Sequence, residues 1–305
     1  MLYPDFKELV RLAHRASRLK LVSGRQSTAV TSGDYASPFR RQGLEFHEVR
    51  EYRVGDDIRT IDWRVTARTD KPHVKVFIEA RERTVILCID ANAAMRFGTR
   101  GTFKSVQAAR AAALLGWQAS GIGDRVGCLI YGDVPDGMQF FTSTRSRHAL
   151  WQSLKLLSDT ARGVHKAPVT LETALKYLER VAPTGALIFV IADFHQATPT
   201  LEKRLGQLHL ACDIVLISVN DPADGEIPAM KTVVFADETG RKLTVDTDSL
   251  AAREAYARRW RENRKQLEVI AARRGIGLVD LHTDTDVYAD LLPGLSRLKF
   301  RKAGR

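Results

Sequence analysis

Ala186–Ala192 reads ALIFVIA, an uninterrupted apolar run that stops on Asp193. A strand with no polar alternation is buried on both faces, which belongs to a parallel sheet covered by helices on each side. Three further runs have the same character: Arg83–Asp90 (RTVILCID), Arg125–Tyr131 (RVGCLIY) and Cys212–Val219 (CDIVLISV). Between them, apolar residues recur at helical spacing: Phe103, Val106, Ala109, Ala113 and Trp117; Leu150, Leu154 and Leu157; Leu171, Ala174, Leu175 and Leu178, closed by Pro183. Thr198 as N-cap with Pro199 behind it opens another helix, with Leu201, Leu205 and Leu208 on its inner face. Met138–Thr142 reads as a short edge strand, and two weak strand patterns between Asn220 and Asp246 as a small ribbon. A long helix from Asp248 to Arg274 turns Tyr256, Trp260, Leu267 and Ile270 inward and stops at Gly275, before a last strand at Ile276–His282. Alternating strands and helices of this kind give an α/β fold with a doubly wound, mostly parallel, Rossmann-like sheet.

Upstream the grammar differs. Phe6, Leu9, Val10, Ala13 and Ser17 mark an amphipathic helix, and Ser23–Gln42 is a polar, basic loop. Then Gly43–Val76, GLEFHEVREYRVGDDIRTIDWRVTARTDKPHVKV, interleaves acids and bases with large apolar residues. Gly55 followed by Asp56 and Asp57 signals a turn between two short extended arms. Arg forks match carboxylates bidentately, so the strip is expected to form a network partly desolvated by Phe46, Tyr52 and Trp63, in which removing Asp62 would strand a buried arginine.

Gly43–Phe46, Arg50–Tyr52, Gly55–Asp57 and Arg59–Arg68, including IDWRVTAR, resemble the signature of the bacterial domain of unknown function 58 family. The resemblance extends over roughly residues 1–292 and implies a von Willebrand factor A-like domain, with a MoxR-type AAA+ ATPase as partner. The expected organisation is an N-terminal signature region (1–80: helix, basic loop, charged strand pair), the A-like domain (81–292) and a basic tail (293–305). Arg50, Tyr52, Asp56, Asp57, Arg59, Asp62, Trp63 and Arg68 are expected to clamp the N-terminal segment to that domain, with outer charges free for a partner.

In open parallel sheets ligands bind beyond the carboxyl ends of the strands, where Asp90 and Asp193 fall. The A-domain resemblance implies a Mg²⁺ site there, with two serines after the first aspartate. Here Asp90 is followed by Ala91, Asn92, Ala93 and Ala94; Asn92 retains a carbonyl oxygen, Ala94 offers nothing, and the threonine ligand falls near Val169 and Thr170. The candidate ligands are therefore Asp90, Asn92 and Asp193, in a degenerate site expected to bind Mg²⁺ no tighter than millimolar.

GTRGTFKS at Gly98–Ser105 lacks the glycine before lysine that a phosphate loop needs, and instead starts a helix at Lys104. No nucleophile elbow or metalloprotease motif occurs, and His47, His73, His195 and His282 flank strand ends, where structural roles prevail. Cys88, Cys128 and Cys212 sit in apolar strands as reduced thiols suited to the cytoplasm. No run approaches the ~20 apolar residues of a membrane helix. The net charge of +11 gathers in the late helix and the tail. The expectation is a non-enzymatic adaptor that works with a MoxR-type ATPase on a protein client, in assembly or remodelling of protein or metal-dependent complexes. The alternative is a nucleic-acid-binding protein using the basic C-terminal helix and tail.

Overall fold

The computed structural model describes residues 2–19, 44–79, 83–160, 169–236 and 242–298. The basic loop 23–42 and the end of the tail lie outside them. The chain forms two compact units, one made of residues 1–22 and 83–299, the other of 23–82 with 300–305.

The larger unit begins with α1 (Phe6–Arg11) and α2 (Ala13–Ala16). Asp5 caps α1 by accepting Glu8 N–H. Leu9, Leu12, Ala16 and Leu19 are buried. The first helix therefore packs with the α/β unit, and the segment expected as one N-terminal region is divided between the two units.

In the smaller unit β1 (Leu44–Glu51) pairs antiparallel with β2 (His73–Glu79), and α3 (Trp63–Thr69) lies in the connection. The arm after Gly55, expected to be extended, is a 3-10 turn at Ile58–Thr60 followed by α3. The reason is capping: Asp57 accepts Arg59 N–H, and Asp62 accepts the N–H groups of Arg64 and Val65. Ile61 keeps a single bridge to Val74.

Past residue 83 come β3 (Thr84–Ala91), α4 (Lys104–Gly121), β4 (Arg125–Gly132), β5 (Met138–Thr144), α5 (His148–Thr160), α6 (Leu171–Val181), β6 (Leu187–Ala192), α7 (Pro199–Ala211), β7 (Asp213–Asn220), α8 (Pro222–Gly225), β8 (Thr232–Ala236), β9 (Lys242–Asp246), α9 (Leu250–Arg274), β10 (Gly277–His282) and α10 (Val287–Ser296). The main sheet has the order β10-β7-β6-β3-β4-β5, parallel except for the edge strand β5. Counted within the sheet this is 3-2-1-4-5-6, doubly wound, with its topological switch between β3 and β6. An antiparallel edge strand beside β4 completes a von Willebrand factor A-like layout. The ribbon β8–β9 forms its own two-stranded sheet.

Every residue of β6 and β7 is buried, as their unbroken apolar sequences require. One face of the sheet packs on Leu175 and Leu178 of α6, Leu201 and Leu205 of α7, and Leu267 and Ile270 of α9. The other is covered by α4, whose Ala108–Ala113 stretch is almost wholly buried, together with α5 and α10. Small alanines let α4 lie close on β3. The segment expected as tail from 293 stays helical to Ser296 because Leu291 and Leu295 are buried. The three cysteines are free and buried. Among the described residues no helix is long and apolar enough to cross a membrane.

Candidate functional site

The carboxyl ends of β3, β6 and β7 gather four carboxylates: Asp90, Asp193, Asp221 and Asp224. Asp90 turns back on its own loop, its Oδ1 accepting both the backbone N–H and the side-chain amide N–H of Asn92 at 2.8 Å. The same Asn92 amide donates to Val169 O at 3.1 Å, joining the first loop to the one that precedes α6. Thr170 is spent on the α6 cap, accepting Thr173 N–H. Gly132, at φ +109°, leaves room for this arrangement, since a Cβ there would lie 2.5 Å from Asn92 N. The Tyr131 hydroxyl is buried beside Asp90 without a hydrogen bond of normal geometry.

Lys104, at the start of α4, enters the same edge. Its Nζ lies 2.8 Å from Asp224 Oδ2 and 3.7 Å from Asp193 Oδ2, with the side chain only 5% exposed. The Phe97 ring stands 5.6 Å from the ammonium, at cation–π distance. Asp193 Oδ1 also accepts from His195, at 3.2 Å from its backbone N–H and 3.1 Å from Nδ1. Asp221 is tied separately: it accepts Thr99 N–H, the hydroxyls of Thr99 and Thr283, and Ala223 N–H.

These environments separate the carboxylates electrostatically. Burial, reinforced by the neighbouring Asp193 charge, pushes Asp90 up to about 7. Burial acts on Asp193 too, but the hydrogen bond from His195 and the Lys104 charge prevail and hold it below the usual range. His195 is raised by the same hydrogen bond. Burial raises Asp224 in spite of Lys104.

Mg²⁺ takes six oxygens in a near-ideal octahedron, and the residues present do not fit it. Asn92 offers Asp90 its amide nitrogen while its Oδ1 is buried against Gly132. A lysine ammonium already bridges Asp193 and Asp224. Among the described residues no group of three or more His, Cys, Asp or Glu is placed to hold a metal ion. The edge thus carries a covalently attached cation between two of its carboxylates.

Beside this edge a cavity of about 310 Å³ opens under α9, lined by Lys104, Asp193, His195, Ser218, Asn220 and Trp260 among others. Asn263 of α9 holds its rim by accepting Ala197 N–H and donating to Phe194 O. Trp260 packs over Gly225, within 3.4 Å of where a Cβ would stand. Trp260 is thereby committed to packing, whereas Tyr256, expected to face inward, is 38% exposed at the cavity's rim.

The signature unit has its own construction. Arg50 forks onto Asp56 at 2.7 and 2.8 Å, and Asp56 also accepts Arg53 N–H. The Arg50 fork, followed by that backbone hydrogen bond, pulls Asp56 down to about 2. Tyr52 N–H donates to Pro72 O and Asp62 N–H to His73 O, pinning the connection against β2. Asp62 pairs with Lys75 at 3.3 Å, so its ionic partner is a lysine and no arginine is stranded by its loss. The apolar frame expected around the charges is turned outward at its centre: Trp63 is 68% exposed and Ile58 64%. Arg59 and Arg68 make no side-chain hydrogen bond or ion pair among the described residues, and Asp57 serves as a cap. The side chain of Phe46 lies outside the described residues.

Sequence reading found Asp90 and Asp193 but missed Lys104, Asp221 and Asp224. Signals for them existed. Lysine in the first turn of a helix opposes the helix dipole and asks for an acidic partner, and Asp221 and Asp224 follow an apolar strand just as Asp90 and Asp193 do.

The A-like unit and the signature together match the model of the family described as proteins of unknown function DUF58, over residues 48–266, and the chain belongs to that family. Uncharacterized proteins of Mycobacterium bovis and Mycobacterium tuberculosis are 30% identical over 286 residues, covering 92% of this chain and 88% of theirs. Among solved structures, the conserved hypothetical protein BatB from Bacteroides thetaiotaomicron aligns at 15% identity and TM-score 0.45, over 71% of this chain and 98% of that one. A von Willebrand factor type A structure from Catenulispora acidiphila aligns at 11% identity and TM-score 0.40, over 73% of this chain and 44% of that one. At those scores the fold assignment rests on strand order and direction.

Proposed function

We propose that the chain is a non-enzymatic protein-interaction module that works with a MoxR-type AAA+ ATPase in assembling or remodelling a protein or metal-dependent complex. The observation that carries this reading is the signature connection, where an exposed Trp63 and Ile58 stand on a turn braced by the Arg50–Asp56 fork and by aspartate caps. Large apolar side chains held rigidly in water are costly unless something covers them, and Trp with Arg is the composition of binding hot spots. The carboxylate edge supports the non-enzymatic side of this reading, because Lys104 and the threonines tie Asp193, Asp221 and Asp224 into fixed, largely buried contacts. Affinity purification of the tagged protein from its native cell, with and without ATP, tests the partner. Co-purification of a AAA+ ATPase is expected, and its absence under both conditions refutes the partnership.

A further inference from the structure

We propose that the signature connection, residues 53–68, docks an acidic segment of a protein partner, with an apolar side chain of that segment seated on Trp63. The proposal rests on the interaction-module reading and names the chemistry of what is bound.

The argument starts from how the connection spends its charges. By composition the stretch looks balanced. The aspartates, however, are consumed inside it: Asp56 by Arg50 and Arg53 N–H, Asp57 by Arg59 N–H, and Asp62 by two α3 N–H groups and Lys75. The arginine side chains receive no such partners. Arg59, Arg64 and Arg68 are exposed and form no side-chain hydrogen bond or ion pair among the described residues. Acids face the backbone and bases face water. A stretch whose four arginines outnumber its three aspartates by only one therefore presents a cationic surface, at the end of the β1–β2 ribbon where the connection is pinned.

Into that surface are set Val54, fully exposed beside Gly55, Ile58 and Trp63. Apolar anchors ringed by guanidinium groups match a segment that carries both carboxylates and an apolar side chain. Nucleic acid fits less well. Val54 and Ile58 are branched aliphatics with no π-face for a base, and exposed Glu48, Glu51 and Asp70 interrupt a phosphate track.

The test uses the full chain and a fluorescein-labelled peptide of Glu-Glu-Leu-Phe repeats, read by fluorescence anisotropy. Parallel arms use a Lys-Lys-Leu-Phe peptide and a single-stranded RNA. Saturable, salt-sensitive binding of the acidic peptide is expected, weakened at least about tenfold by Trp63→Ala and by the Arg59→Glu/Arg64→Glu pair. Because these side chains are exposed, the melting temperature of both variants should stay at the wild-type value, which separates lost contact from lost fold. The proposal is overturned by absent acidic-peptide binding, by equal binding of the basic peptide, by indifference to both variants, or by RNA binding more tightly through the same residues. If Trp63→Ala still captures an ATPase from its native cell at wild-type yield while the acidic peptide fails, the module reading stands and this surface falls.

Discussion

Replacing Lys104 with methionine tests the carboxylate edge most directly. The change keeps an apolar stem beside Phe97 and removes one charge. It leaves Asp224, now 2.8 Å from an ammonium, and Asp193, 3.7 Å from it, without that cation in a place where the lysine side chain is 5% exposed. Removing one partner of a buried pair costs roughly 3–5 kcal/mol, because the remaining charge stays desolvated. His195 still serves Asp193, so the lower half of that range is expected. For a unit of this size a kcal/mol corresponds to about 2–4 °C, giving a fall in Tm of about 6–16 °C near neutral pH. The sign of the pH dependence follows from Asp224. Its pKa is already raised by burial, and loss of Lys104 raises it further. The native variant then holds protons that the unfolded chain releases, so its deficit grows as pH rises above the unfolded value and shrinks on acidification. Urea titrations of wild type and variant near neutral pH and near pH 5 measure both effects. Adding Asp224→Asn to the variant should recover part of the loss, as coupled partners do. A deficit below about 1 kcal/mol, or one equal at both pH values, refutes the ammonium as a buried counter-charge.

Asp90, raised to about 7 from 3.8, binds a proton in the native state that the unfolded chain has lost. Its contribution therefore erodes stability as pH rises through that interval, by roughly 4 kcal/mol at most since part of the residue meets water. Asp90→Asn should flatten the urea midpoint between those limits, and an unchanged slope counts against the assignment. Gly132→Ala puts a Cβ 2.5 Å from Asn92 N at φ +109°, so a loss above about 2 kcal/mol is expected, together with altered Asn92 amide shifts by NMR. Calorimetric titration of the wild type with Mg²⁺ or Mn²⁺ should show no binding tighter than millimolar, and a micromolar isotherm would contradict the misfit described at Asn92 and Lys104.

The sheet was legible because its information is local. ALIFVIA and CDIVLISV carry their burial on both faces in the composition of six to eight residues, and the switch-point rule then places Asp90 and Asp193 with no further knowledge. The first-turn position of Lys104 signals the need for an acidic partner, but which partner was not legible, because Asp224 lies 120 residues away and only the closed fold brings them together. The signature failed differently. The turn signal at Gly55, Asp56 and Asp57 suggests an extended arm on each side, yet Asp57 and Asp62 are cap residues at the right offsets, and their side-chain-to-backbone bonds give a 3-10 turn and a helix instead. Trp63, expected to shield the interleaved charges, stands 68% exposed, because hydrophobicity alone does not decide burial.

The N-terminal helices have a consequence for synthesis. Trp117 Nε1–H donates to Leu9 O, and Arg15 grips Asp286 with both guanidinium arms across 271 residues. A ribosome adding 5–20 residues per second reaches Asp286 roughly 14–54 s after Arg15. Leu9, Leu12 and Ala16 need only α4 and α5 to be covered, whereas Arg15 waits through the whole of that interval for the start of α10. Most of the opening helices' burial is thus available once α4 has emerged, and a nascent chain halted before α10 would leave Arg15 alone without its closing partner.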